Sequence, residues 1–294
     1  MSDRYFPHSV RIVFFLVLPL MGACSFAGQI ASNSLEGATS YYSDDHFTLV
    51  ATIPAKFGFT SKAKYSPKDG KKCDIYSPGL GGKVTRQQQK SNTTEAKQVE
   101  QTVSTDIPLE YNIADCSMEL TSVSYELSGR YGPGSLDRDM ELAGGLSVAD
   151  KASITIESAS SVIEQRGICT WYFQISTSKI KKGEIEKILS CEAAGPEWEV
   201  TEDRFKRRKP GGVLARSVLA DRTVHVEFRL SSAEKPYYQN YWFKALNGWK
   251  PCTGRWNSDR EELCTTPPLL RKFKQNGREC TVYPNCVETG AVNE

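Results

Sequence analysis

Residues 224–230 read Val-His-Val-Glu-Phe-Arg-Leu, and this stretch decides the fold class. Val224, Val226, Phe228 and Leu230 fall on one side of an extended chain, and His225, Glu227 and Arg229 on the other. Such alternation marks a strand with one covered and one wet face, expected here within an antiparallel sheet. The same pattern recurs on the N-terminal side. Cys169-Thr170-Trp171-Tyr172-Phe173-Gln174-Ile175 reads as a central strand, and residues 185–191 as its partner beyond a turn at Gly183. That pairing brings Cys169 and Cys191 toward each other, as a cross-strand disulfide requires. Farther back, Phe47, Leu49, Ala51 and Ile53 alternate with Thr48, Val50 and Thr52. From Met118 to Leu127 both faces carry apolar residues, as in a strand covered on both sides for part of its length. Residues 83–103 are polar and Gln-rich, and read as a long solvated hairpin or a mobile loop. Residues 129–150, rich in Gly and Asp, read as a long connection.

The whole predicts a mainly β protein of one or two antiparallel β-sandwich-like domains, with disulfides and a loop-rich, cysteine-containing C-terminal tail. The expected organisation is a leader over 1–23, a flexible tether over 24–46, and β-rich domains over 47–160 and 161–294. A hydrophobic content of 39% with 24% charged residues is globular and argues against global disorder. The 37 Lys and Arg nearly balance the 35 Asp and Glu, and no concentrated positive field results. Nucleic acid is therefore not an expected partner.

The N-terminus has its own logic. Arg4 and Arg11 precede Ile12 to Leu20, nine residues that form an apolar core too short to span a bilayer. This is the layout of a cleaved export signal. Leu20-Met21-Gly22-Ala23-Cys24 then resembles the lipobox of bacterial lipoproteins. The resemblance implies acylation at Cys24, a lipid anchor in the membrane and, with Ser25 rather than Asp following, an outer-membrane address. A competing cleavage after Ser25-Phe26-Ala27 would release the protein instead. Either route removes one of nine cysteines. Eight remain: Cys73, Cys116, Cys169, Cys191, Cys252, Cys264, Cys280 and Cys286. An even number in an oxidising compartment reads as four disulfides, with Cys252–Cys264 and Cys280–Cys286 the simplest local pairs.

Catalytic patterns are sparse. The chain has no G-x-S-x-G elbow, H-E-x-x-H motif, P-loop or dinucleotide fingerprint. Gly132-Pro133-Gly134-Ser135 reads as a turn, and His225 as a solvated side chain on a wet strand face. No CxxC pair occurs, and His46 and His225 are the only histidines beyond the leader, so neither a metal site nor a cofactor is expected. Paired carboxylates such as Glu261-Glu262 are commonplace on solvated loops, and no enzymatic role is assigned to them.

Two stretches suggest binding. Arg204-Phe205-Lys206-Arg207-Arg208-Lys209 places five bases around one aromatic, suited to anionic head groups or an acidic protein surface. A solvated loop without a partner fits the same residues. Tyr237, Tyr238 and Trp242 lie in an aromatic run that suits a contact patch, because Tyr and Trp dominate binding hot spots. Core packing explains that run equally well.

Finally, Cys169-Thr170-Trp171-Tyr172-Phe173, Lys187-Ile188-Leu189-Ser190-Cys191 and the ending from Gly277 to Cys286 resemble a family of proteobacterial envelope lipoproteins. That family is similar to immunity proteins against type VI secretion lipase effectors. The resemblance covers about half of the chain beyond the leader and rests on structural cysteines and aromatics. It implies a protein partner, either a secreted toxin or, in an assembly lipoprotein, another envelope component.

Overall fold

The computed structural model describes residues 39–150, 161–175, 183–203, 205–253, 264 and 267–287. The leader, Cys24 and most of the expected tether lie outside them. The described strands begin with β1 (Tyr41–Tyr42), β2 (His46–Ile53), β3 (Phe57–Pro67), β4 (Asp74–Ser77), β5 (Gly82–Thr85) and β6 (Gln88–Thr94). They continue with β7 (Gln101–Pro108), β8 (Glu110–Ile113), β9 (Cys116–Arg130), β10 (Arg138–Ala149), β11 (Val162–Gln174), β12 (Glu186–Ala193) and β13 (Gly211–Ala215). One helical turn, α1 (Arg216–Leu219), precedes β14 (Thr223–Leu230), β15 (Lys235–Pro236), β16 (Trp242–Ala245) and β17 (Gly248–Pro251). Short strands close the chain: β18 (Phe273–Gln275), β19 (Arg278–Cys280) and β20 (Tyr283–Pro284).

The protein is mainly β and forms two sandwich-like units that are interleaved along the sequence. Among the described residues, one unit takes 39–45, 65–88 and 108–120, and the other takes 46–64, 89–107 and the remainder from 121. In the first, β1 pairs antiparallel with β8, and β8 with the start of β9. Tyr41 and Tyr42, at the end of the stretch read as a tether but already suited to packing, belong to a strand. Tyr42, Tyr65 and Tyr111 form a ring cluster, and the buried Tyr65 hydroxyl donates to Pro108 O at 3.0 Å. The Cys73–Cys116 disulfide braces this unit across a sequence separation of 43.

In the second unit two sheets face each other. One contains β12, β11, β14, β2 and β7 in that order, and the other contains β6, β3, β9, β10 and β13. Phe47, Leu49, Ala51 and Ile53 of β2 are buried beside Val224, Val226 and Phe228 of β14. Facing them, Phe59 lies 6.5 Å from Phe228 and Phe57 lies 5.9 Å from Trp171, ring centre to ring centre. Each buried side chain of this size contributes about 1.5–3 kcal/mol, so this double layer is the main source of stability.

Several local expectations change. β14 pairs parallel with both β11 and β2, not antiparallel. Alternation reports only that one face is covered; it carries no information about neighbour direction. Residues 88–94 and 101–108 are strands in different sheets, not two arms of one hairpin. Residues 138–149 form β10, because their glycines serve close packing and not a connection. A Cβ at Gly144 would stand 2.3 Å from Pro210 O, and Gly145 N donates to that same carbonyl at 2.9 Å. β9 changes its buried parity between Leu120 and Val123, where the chain passes from one unit to the other.

The C-terminal strands form a small module on the end of β11. Its core joins Phe173, Ile175, Tyr241, Trp242, Phe273, Cys280 and Tyr283. Cys252–Cys264 and Cys280–Cys286 close short loops within it, and Cys169–Cys191 bridges β11 and β12. Cys169–Cys191, Cys252–Cys264 and Cys280–Cys286 are pairs the sequence suggested; Cys73–Cys116, which it left unassigned, is the fourth. Strands from both sides of residue 160 share the β12-β11-β14-β2-β7 sheet, so the compact units do not follow the sequence division placed there.

Candidate functional site

The wet face of β11 and β14 assembles the candidate binding residues. Tyr172 stands on the outer face of β11, since its neighbours Trp171 and Phe173 point into the core. Tyr237 meets it edge-on at 6.3 Å and is itself met edge-on by Tyr238 at 4.7 Å. Both are 46% exposed. The backbone bond from Tyr237 N to Phe173 O, 3.0 Å long, ties them to the sheet.

Arg207 reaches the same place from the basic loop. It pairs with Glu192 at 3.1 Å, donates to Thr201 O at 3.0 Å, and brings its charge near the Tyr172 hydroxyl. Burial raises the pKa of that hydroxyl above the ordinary phenol value, Glu192 adds to the rise, and Arg207 opposes it. Farther along the sheet Arg229 stacks on Trp198, with its guanidinium carbon 3.6 Å from the ring centre. Glu227 fixes the same guanidinium at 2.8 Å. Trp198 is presented by a tight turn in which its N–H donates to Gly195 O at 3.0 Å. Two arginines, three tyrosines and a tryptophan are therefore held in place by ion pairs and stacking before any partner arrives.

The other predicted contact residues go elsewhere. Lys209 pairs with Glu141, and Arg208 offers its backbone carbonyl to Ala193 N at 2.6 Å. Lys206 lies 3.6 Å from Asp203 on an exposed turn, and Arg204 lies outside the described residues. The run of five bases is thus not a free cationic patch. Arg207 and Lys209 are spent on intramolecular carboxylates. Trp242, expected on the contact surface, is instead a core residue at 4% exposure, edge-on to Phe173 at 4.8 Å.

These contacts also seal the edge of β12. Leu189 N donates to Asp139 Oδ2 at 2.8 Å and Cys191 N to Glu141 Oε1 at 3.4 Å. With Ala193 N bonded to Arg208 O, three successive outward N–H groups of this strand are occupied. A partner is left with the face of the sheet, not this edge.

Two features escaped the sequence reading. His225 is not merely solvated: its Nδ1 lies 3.0 Å from Glu164 Oε2 and its Nε2 lies 3.1 Å from Thr52 Oγ1. Thr52 Oγ1 in turn lies 3.2 Å from Thr102 Oγ1, so one polar chain ties four strands together. Acid, imidazole and hydroxyl stand in the order of a hydrolytic triad. This set lies on an open sheet face with His225 25% exposed, and its hydroxyl is shared with a second threonine. Bracing of the sheet is what the geometry shows. A sequence signal existed in retrospect, since Glu164, His225 and Thr52 all sit at wet positions of alternating strands.

The second feature is a cleft of about 240 Å³ between the β9–β10 turn, the start of β12 and the β18–β19 turn. Lys187 lines it, paired with Glu234 at 2.6 Å and flanked by Tyr131 and Tyr283. Tyr283 donates its hydroxyl to the same carboxylate; burial, then Glu234, pushes its pKa well above the usual phenol value. The charge of Lys187 is consumed inside the fold. Among the described residues no group of side chains is arranged to hold a metal ion.

No family model matches the chain, and neither a curated protein nor a solved structure matches it.

Proposed function

We propose that this chain is a lipid-anchored periplasmic binding protein of the outer membrane that recognises a protein partner through the wet face of β11 and β14. The single observation that carries the reading is the pre-ordered Tyr172–Arg207–Tyr237–Tyr238 group with the neighbouring Arg229–Trp198 stack. Tyr, Trp and Arg dominate binding hot spots, because they bury a large area and still satisfy their polar ends. Their fixing by Glu192 and Glu227 lowers the entropy lost on association. Four internal disulfides suit a scaffold that works in an oxidising compartment.

The partner we favour is a secreted lipase toxin, which makes the chain an immunity protein of the type VI kind. This extends the resemblance carried by the cysteine and aromatic segments. An inhibitor tethered through Cys24 meets a membrane-active toxin at the surface it attacks, and tethering raises its local concentration there. Neutralisation that survives dilution needs a dissociation constant of about nanomolar order, near −12 kcal/mol.

The test is expression of the adjacent secreted protein in the periplasm, alone and with this chain. Growth arrest by the neighbour, rescue by the anchored chain and loss of rescue in Arg229→Ala/Tyr237→Ala support the proposal. A neighbour that is harmless alone, or that kills equally in the chain's presence, removes the immunity reading and leaves an envelope-assembly role.

A further inference from the structure

The β16–β17 hairpin carries chemistry that the protein-binding face does not use. From Trp242 to Pro251 the hairpin holds two lysines, three aromatic side chains and no Asp or Glu. Trp242 and Trp249 turn toward the core of the C-terminal module. On the opposite face Phe243 stands across from Lys250 and is 41% exposed. Leu246, at the tip, is 100% exposed. Lys244 stands beside the Trp249 ring, 5.9 Å from its centre.

The hairpin is also fixed in place. β17 pairs with β20, and Asn285 Nδ2 donates to Asn247 O at 2.8 Å. At Gly248, with φ +138°, a Cβ would stand 2.1 Å from Tyr283 O, so the turn lies hard against the strand beneath it.

A single exposed leucine carries no information by itself. The arrangement does. Protein-binding surfaces sink their apolar residues into the centre of a patch and are poor in lysine. Here Leu246 is the outermost point, Phe243 lies exposed behind it, and Lys244 and Lys250 flank them without an acidic residue in the hairpin. That is the order of a bilayer surface, with apolar tips below the head groups and lysine amines against phosphates.

We propose that the β16–β17 hairpin is a membrane-docking loop, which sinks Leu246 and Phe243 into the surface of an anionic phospholipid bilayer while Lys244 and Lys250 engage lipid phosphates. The proposal stands on the hairpin alone and does not depend on the toxin partner.

The experiment is hydrogen–deuterium exchange of the full chain on phosphatidylglycerol-containing vesicles and on pure phosphatidylcholine vesicles. The localised readout separates the hairpin from any anchoring by the N-terminus. Amides of residues 243–250 should exchange at least about fivefold more slowly on the anionic vesicles. Leu246→Ser, and separately Lys244→Glu/Lys250→Glu, should abolish that protection; both alter exposed or half-buried positions, so the fold is preserved. Unchanged exchange on anionic vesicles overturns the proposal, as does protection that is equal on neutral lipid or persists in both variants. Protection that appears without vesicles and grows with protein concentration overturns it too, in favour of a second copy of the chain.

Discussion

Removing the two carboxylates that close the edge of β12 tests how the sheet is held together. In Asp139→Ala/Glu141→Ala, Leu189 N loses an acceptor at 2.8 Å and Cys191 N one at 3.4 Å. A hydrogen bond to a charged group contributes about 1.5–3 kcal/mol, and the shorter bond deserves that range. The longer one contributes less. The Lys209–Glu141 pair is discounted to about 0.5 kcal/mol, because Lys209 is 44% exposed and solvent screens it. Water can reach the vacated edge and recovers part of the loss, so the double variant should lose roughly 2–3 kcal/mol. At about 2–4 °C per kcal/mol for a chain of this size, the melting temperature should fall by about 5–10 °C. Asp139→Asn keeps an acceptor and should lose less than half as much. The assay is calorimetry with all disulfides intact, joined to hydrogen exchange at the Leu189 and Cys191 amides. An unchanged melting temperature, with both amides exchanging at the wild-type rate, would refute the edge-sealing argument.

Three further outcomes are expected. Trp242→Ala should destabilise the protein by about 3–5 kcal/mol through loss of a buried aromatic, whereas Tyr237→Ala should leave stability nearly unchanged and weaken partner binding tenfold or more; thermal melts and titration calorimetry separate the two. Unreduced, denatured protein processed at the leader should expose no maleimide-reactive thiol, and Cys169→Ala/Cys191→Ala, which opens a bridge with a sequence separation of 22, should lose about 2–4 kcal/mol. Burial raises the pKa of the Tyr65, Tyr125 and Tyr283 hydroxyls in the folded state, so stability is intact below the unfolded value of about 10 and falls as pH rises past it. In a phenolate absorbance titration at least three of the 13 tyrosines should remain protonated until the protein unfolds.

Much of the candidate surface was half legible. The sequence singled out the 204–209 bases and the 237–249 aromatics, but could not tell members that face solvent from members that do not. Tyr237 and Trp242 are five positions apart in one aromatic run, yet one is half exposed and the other buried. Trp198 and Arg229 were not singled out, because a lone tryptophan after a turn and a lone arginine at a strand end have no periodic signature. Their meeting depends on β12, β11 and β14 being neighbours.

What the sequence determined by itself is what lies within a few residues. A strand shows as alternation, because successive side chains point to opposite faces whatever stands next to it. The inward sides of β2 and β14 were therefore readable, and so were the disulfides whose partners share a hairpin or a short loop. The tertiary structure alone decided properties that belong to pairs of distant segments. These include the parallel neighbours of β14, the carboxylates that absorb Arg207 and Lys209, and the close approach at Gly144 and Pro210 that turned an apparent connection into a strand. The Glu164–His225–Thr52 chain joins residues 61 and 173 positions apart. No local periodicity encodes such separations; they are fixed only when burial of the common core selects which strands become neighbours.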